Sequence, residues 1–137
     1  YANEGLVGEL SSAGTVQRSY GYAPGSLWTS RSLFVAEAEF AYLHHDQIGA
    51  PQAASDRTGA LRWKSAYSAF AEADEVIAGI AQPLRLPGQY FDAETGLHHN
   101  WHRTYDASVG GYLTPDPIGR NEAIAGVPWD AGRAGLQ

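Results

Sequence analysis

The 137-residue sequence predicts a mainly β fold, an antiparallel meander of hairpins, from three observations. Turn signals of one kind recur: Asp56 to Gly59, Asp92 to Gly96, Asp106 to Gly110 and Asp116 to Gly119. Asp opening a turn accepts hydrogen bonds from backbone N–H groups two residues on, and Gly near its end supplies the positive φ that folds two strands together. Between the later turns lie aromatic runs with Tyr90, Phe91, Trp101, Tyr105 and Tyr112, residues that suit a pleated, half-buried surface. Over Ser32 to Tyr42 the pattern has period two, with Phe34, Ala36, Ala38, Phe40 and Tyr42 alternating with Val35, Glu37, Glu39 and Ala41.

The elements follow in order. Leu6–Leu10 and Thr15–Tyr22 flank Ser11-Ser12-Ala13-Gly14, which reads as two strands and a tight turn. Ser32 to Tyr42 reads as one strand with its glutamates on a wet face; Ala and Glu also favour helix, but aromatics at every second place decide for the strand. Ala60 to Tyr67 is a further strand after the Asp56 turn. From Phe70 to Ala81, Ala and Glu are dense and Phe70, Ala73, Ile77 and Ile80 share a helical face, so one short helix is expected near 70–81, stopped by Pro83. A strand over Val76–Ile80 is the competing reading.

Composition narrows the function. The length fits one domain with a modest core. The absence of cysteine excludes disulfides, thiolate metal sites and cysteine nucleophiles. A net charge of −6, with one Lys and eight scattered Arg, argues against a nucleic-acid partner. No apolar run is long enough to span a bilayer and no signal peptide is read, so a soluble chain is expected. It begins with Tyr and lacks Met, which suggests a piece of something longer.

Leu84, Arg85, Pro87, Gly88, Gln89, Tyr90, Asp92, Glu94, Thr95, Gly96, Leu97, Asn100, Arg103, Tyr105, Asp106, Gly110, Tyr112, Leu113, Asp116, Pro117, Ile118 and Gly119 stand in order. This stretch resembles the core region of the Rhs/YD-repeat family. Tyr42-Leu43-His44-His45-Asp46-Gln47-Ile48-Gly49-Ala50-Pro51 resembles that family's second signature, and Asp56 with Gly59 follows as a further turn. Where the family has Y-D-P-F-G, this chain has Tyr67-Ser68-Ala69-Phe70-Ala71, lacking the turn Pro and Gly, so a helical start in place of the turn is expected. Arg120 replaces the family's Leu, and Tyr20 to Gly25 is a degraded repeat. The resemblance implies three segments: degenerate repeat strands over 1–41, the repeat-associated core over 42–119, and a divergent tail over 120–137. It further implies hairpins forming part of a β-shell that encloses a C-terminal toxin in a bacterial protein, cytoplasmic before export and then secreted or delivered to a target cell. The partners would be the remainder of such a shell and its toxin, or other copies of this chain.

Three constellations are candidates for chemistry. Asp116 and Asp130 could form a proton-sharing carboxylate pair that cuts the chain at the toxin junction. The second motif survives only as Asp130-Ala131-Gly132, however, and turn geometry alone explains Asp116. His98 and His102 would have metal-pair spacing on a helix, but on a strand they lie about 13 Å apart at about 3.3 Å per residue, beyond the reach of one ion. They read as solvent-facing or cross-strand packing residues, and no metal or cofactor is expected. Trp28, Trp63, Trp101 and Trp129 could stack on sugars, but sheet packing is the simpler use of them. A structural shell segment is therefore expected, with a self-cleaving aspartyl protease module and a free-standing surface-binding module as alternatives.

Overall fold

The structure is a computed structural model that describes residues 5–27 and 29–116. Within these residues it is all strand and turn, with no helix. Seven strands form one antiparallel sheet in strict sequence order: β1 (Gly8–Leu10), β2 (Val16–Tyr22), β3 (Ser32–Ala36), β4 (Phe40–His45), β5 (Pro51–Ser55), β6 (Leu61–Tyr67) and β7 (Ala73–Ala78). A second, four-stranded sheet is ordered β11-β10-β9-β8, from β8 (Gln89–Asp92), β9 (Leu97–Asn100), β10 (Arg103–Asp106) and β11 (Gly111–Tyr112). Meander connectivity of this kind follows from chain reversals short enough that each strand pairs with the one before it.

Alternation decides which face of the large sheet is buried. Tyr20, Val35 and Ala41 lie opposite one another across β2, β3 and β4, and Leu43, Ala54 and Trp63 form a second row across β4, β5 and β6. All six are buried, with Leu6 and Leu84 completing the cluster and Tyr22, Tyr67, Ile80 and Tyr90 packed against it. At about 25 cal/mol per Å² of apolar surface removed from water, these rows are the main source of stability. The opposite face carries Phe34 beside Phe40, their rings 5.0 Å apart edge to face, and the half-exposed Tyr42. Gly21 makes room there for the Phe34 ring, since a Cβ at Gly21 would lie 2.1 Å from Phe34 Cε1.

One turn recurs four times, after β1, β4, β5 and β6. In Asp46-Gln47-Ile48-Gly49 the Asp46 Oδ1 accepts from the N–H of Ile48 at 3.0 Å and of Ala50 at 2.9 Å, while the Gly49 N–H donates to the Asp46 carbonyl at 3.1 Å. Asp56 makes the same bonds to Thr58, Ala60 and Gly59, and Ser11 makes them through Oγ to Ala13, Thr15 and Gly14. The fourth copy is Ser68-Ala69-Phe70-Ala71, with Ser68 Oγ accepting from the Phe70 and Glu72 N–H groups. Ala71 holds φ of 69° where the other copies have glycine at 79°, 90° and 86°. A left-handed alanine costs about 1 kcal/mol, and here the residue is 2 % exposed, so its methyl group is packed in return.

That turn overturns the helix expected over 70–81. Residues 68–71 reverse the chain and Ala73–Ala78 form β7, hydrogen-bonded to β6. Alanine and glutamate favour helix only weakly, and pairing against a formed strand outweighs that preference. The single strand expected over Ser32 to Tyr42 is also corrected: β3 and β4 are two arms of a hairpin, with Ala36 opposite Phe40 and Glu37 N–H bonded to the Glu39 carbonyl at 3.2 Å.

Gly59 and Gly96 hold φ of 86° and 74°, and a Cβ on either would meet nothing within 4 Å. Gly59→Ala and Gly96→Ala therefore isolate the backbone cost of the turn and should each lower stability by about 1 kcal/mol in urea unfolding. An unchanged midpoint would contradict the left-handed assignment.

Candidate functional site

The densest polar chemistry lies where the second sheet meets the first. Leu86-Pro87-Gly88-Gln89 is a tight turn with Pro in its second place and Gly88 at φ 90°, closed by Gln89 N–H to the Leu86 carbonyl at 2.8 Å. It sets Arg85 inward at 5 % exposure. The guanidinium donates to the Gln82 carbonyl and to the Leu84 carbonyl at 3.2 Å, and lies 4.8 Å from the centre of the Phe91 ring. Glu75 Oε1 stands 3.6 Å from it and accepts a hydrogen bond from Trp63 Nε1 at 3.0 Å. Burial pushes the Arg85 pKa down, opposed by the nearby Tyr67 and Glu75.

His98 lies in β9 beside this group, 2 % exposed. Its Nδ1 is hydrogen-bonded to the side-chain amide of Gln89, 2.8 Å from Oε1. Phe91 meets the ring edge-on at 5.5 Å, and Tyr105 is 5.8 Å away. Desolvation, helped by the Arg85 charge and opposed by Asp106, pushes the imidazole down to about 4. A cleft of about 600 Å³ opens here, with Glu75, Arg85, Phe91, His98 and Asp106 in its wall. Arg85 and His98 are committed to partners inside the fold, so this arrangement holds two sheets together.

The other sequence-derived residues are distributed over both sheets. Asp92 and Asp106 cap their turns by accepting from the N–H of Glu94 and Ser108, each at 2.9 Å, with Gly96 and Gly110 at positive φ. Gly110 also leaves space for the Phe70 ring, while Tyr105 donates to the Phe70 carbonyl at 3.0 Å. Pro87 rests against Gly49. His44 bonds Ser55 at 2.7 Å and His45 bonds Ser32 at 2.9 Å, both across strands. His102 is not on the strand with His98: β9 ends at Asn100, and Trp101 turns the chain at φ 54° with His102 stacked on it. No group of three or more His, Asp or Glu side chains is placed to hold a metal among the described residues.

Asp116 ends the described region with Arg103 at 3.5 Å, and the Arg103 guanidinium lies 3.7 Å from the centre of the Tyr112 ring. Its sequence-derived partner Asp130, together with Pro117, Gly119, Trp28 and Trp129, lies outside the described residues. Trp63 is fully buried and Trp101 is 65 % exposed, so these two indoles do not share a surface. Of the seam residues, Gln82 and Glu75 are not singled out by sequence reading, and Arg85 enters only as part of the family resemblance. The one signal available was an arginine between two leucines, Leu84 and Leu86.

No protein-family model matches the chain. Among curated proteins it is 40% identical over 89 residues to a double-stranded DNA deaminase toxin A of Burkholderia cenocepacia, covering 61% of this chain and 6% of that protein. It is 42% identical over 86 residues to the toxin protein Tse5 of Pseudomonas aeruginosa, covering 62% of this chain and 6% of that protein. To a probable deoxyribonuclease RhsA of Dickeya dadantii it is 35% identical over 80 residues, 57% of this chain and 6% of that protein. The chain thus spans a small fraction of these relatives. Among solved structures, a TcdB2–TccC3 crystal structure superposes at a TM-score of 0.56 with 18% identity, covering 80% of this chain and 6% of that one. The Photorhabdus luminescens Tc holotoxin pore matches at 0.54 with 13% identity, covering 82% and 9%. The structural likeness is one of fold alone. Two of these relatives are named as toxins and the third as an RhsA protein, a likeness that supports an Rhs-type family.

Stability should depend on pH through His98. A base whose folded pKa is about 4, below its ordinary 6.5, contributes fully above pH 6.5 and loses that contribution as pH falls towards 4. The loss amounts to roughly 3 kcal/mol at most. Asp56, Asp92 and Asp106, held low chiefly by hydrogen bonds from Thr58, Glu94 and Ser108, add a further loss below the ordinary carboxylate value. Thermal melts from pH 7 to 3 should show both steps, and His98→Gln should flatten the one between pH 6.5 and 4. An equally steep fall in that variant would assign the acid sensitivity elsewhere.

Proposed function

We propose that this chain is a wall segment of the shell of an Rhs-type toxin-delivery protein, near the junction with its C-terminal toxin. In this reading residues 1–41 are repeat strands, 42–119 the repeat-associated core and 120–137 the divergent tail that leads away from it. Its partners are the remainder of the shell and the enclosed toxin, and it acts after export from the bacterium that makes it.

One observation carries the reading. Among the described residues, seven strands follow in sequence order, joined four times by the same turn, and the two outer strands are each paired on one side only. A sheet built by repeating one hairpin extends by adding another, and open edges of this kind are an aggregation hazard unless neighbours cover them. The toxin relatives, each far longer than this chain, are consistent with such neighbours. A structural role also accords with a seam whose Arg85 and His98 are held in internal contacts.

The test is limited proteolysis of the full-length protein. With the wall intact, the sequence following residue 137 should resist protease; Gly79→Pro, which removes the N–H that donates to the Arg62 carbonyl just past the outer strand β7, should expose it. Equal sensitivity of both would sink the enclosure reading.

Self-cleavage by Asp116 is not expected. The second motif survives only as Asp130-Ala131-Gly132, whereas carboxylate-pair proteolysis needs two carboxylates held together and sharing a proton. A reporter fused after Gln137 should stay attached over a day from pH 4 to 8, in the parent and in Asp116→Asn alike. Release from the parent alone would establish the protease alternative.

A further inference from the structure

Among the described residues no strand of the second sheet pairs with a strand of the first. The hydrophobic cluster takes Tyr90 from β8 and no residue from β9, β10 or β11. Those three strands are held to the rest by side chains: Tyr105 donates to the Phe70 carbonyl at 3.0 Å, and the Phe70 ring lies against Gly110. Beside these contacts the two sheets stay apart, with Phe91, His98 and Asp106 sharing a cleft of about 600 Å³ with Glu72, Ala73 and Glu75. We propose that this seam is an acid-sensitive latch, in which a proton on His98 releases β9, β10 and β11 while the large sheet and its core stay folded. The latch belongs to the fold of this chain and holds or fails without the shell reading.

His98 is the group that couples the seam to pH. It is buried in β9 between Phe91, at 5.5 Å, and Tyr105, at 5.8 Å, and its one hydrogen bond among the described residues goes to the neutral amide of Gln89. The charged groups around it are Arg85 from the segment before β8, Asp106 at the end of β10, Glu75 of β7, and Glu72 just before β7. Each carboxylate is occupied or remote. Asp106 accepts from the Ser108 N–H and hydroxyl, Glu75 faces Arg85 and accepts from the Trp63 indole, and Glu72 is exposed to solvent, which screens it. None lies within 4.0 Å of the His98 ring nitrogens among the described residues.

A charged imidazole here would be desolvated beside a buried cation, with no carboxylate in contact to answer it. Burial first, and the Arg85 charge second, push the ring down to about 4, opposed by Asp106. Once the strands open, the ring is hydrated and regains its ordinary value of 6.5. A lowered folded value means that the closed state is favoured above pH 6.5 and loses ground as pH falls towards 4, by up to about tenfold in the opening equilibrium per pH unit. The opening is local because the cluster that holds the large sheet needs nothing from the three strands that leave.

The experiment is amide hydrogen exchange of the whole chain, read by NMR at pH 7.5 and pH 5.0 and corrected for intrinsic exchange; at pH 5.0 the turn aspartates are still ionised. Protection in β9 and β10 should fall roughly tenfold or more at pH 5.0, while β5 and β6 keep theirs within about twofold. His98→Gln and His98→Phe, the second keeping a ring in the aromatic row, should each remove the difference. In the parent the His98 ring resonance should show a neutral imidazole down to about pH 5. Equal loss in both sheets would overturn the proposal, as would loss confined to β3 and β4 around His45, whose pKa burial also lowers. Unchanged protection, an acid response that persists in either variant that folds, or titration of the parent His98 ring at its ordinary value would overturn it as well.

Discussion

A buried guanidinium determines how the second sheet sits on the first. Taking a cation out of water costs several kcal/mol, and that cost is offset only by partners in good geometry. Arg85 has two backbone carbonyls, a carboxylate and an aromatic face, drawn from both sheets. Glu75 comes from the outer strand of the large sheet and is itself held by the indole of Trp63, which is fully buried at the centre of the core. The position of β8 is thereby tied to the register of β6 against β7. His98 stays neutral chiefly because burial disfavours its charged form, to which the nearby Arg85 charge adds, and the imidazole is anchored to the amide of Gln89.

The second contact between the sheets follows from a departure in the repeat. Ser68 and Ala71 occupy places where the other turns carry Asp or Ser and Gly, and the hydrogen bonds survive the exchange because a hydroxyl accepts as a carboxylate does. What changes is the surface. Phe70, in the third position of that turn, lies over the bare backbone of Gly110 while its carbonyl receives the Tyr105 hydroxyl. The turn thus contributes a docking point as well as a reversal, which gives a physical reason for tolerating a left-handed alanine there.

Much of this fold could be read from the sequence because its turns are local. Asp46, Asp56, Asp92 and Asp106 bond to N–H groups two to four residues on, so each turn is contained in a few consecutive letters. The β3–β4 reversal carries no such letters: Glu37-Ala38-Glu39 has neither Gly nor Asp, and the alternation of each arm runs on through it. The 70–81 segment misled for a different reason, because alanine and glutamate describe a helix only while the partner strand is ignored. The seam was least legible. Arg85, Glu75 and Trp63 meet across strands, and only the paired register brings them together. His98 and His99 are adjacent in sequence, yet one is buried and the other exposed.

The same register explains why the large sheet is finished on one face only. Its inner rows, Tyr20-Val35-Ala41 and Leu43-Ala54-Trp63, are closed by the second sheet with Leu6 and Leu84. On the other face Phe40 and Tyr42 remain 39 % and 45 % exposed, with Arg57 placed over the Phe40 ring at 5.8 Å. At both edges a strand carboxylate is answered within the fold, Glu75 of β7 by Arg85 and Trp63 and Glu9 of β1 by Arg18, so charge does not set one edge apart from the other.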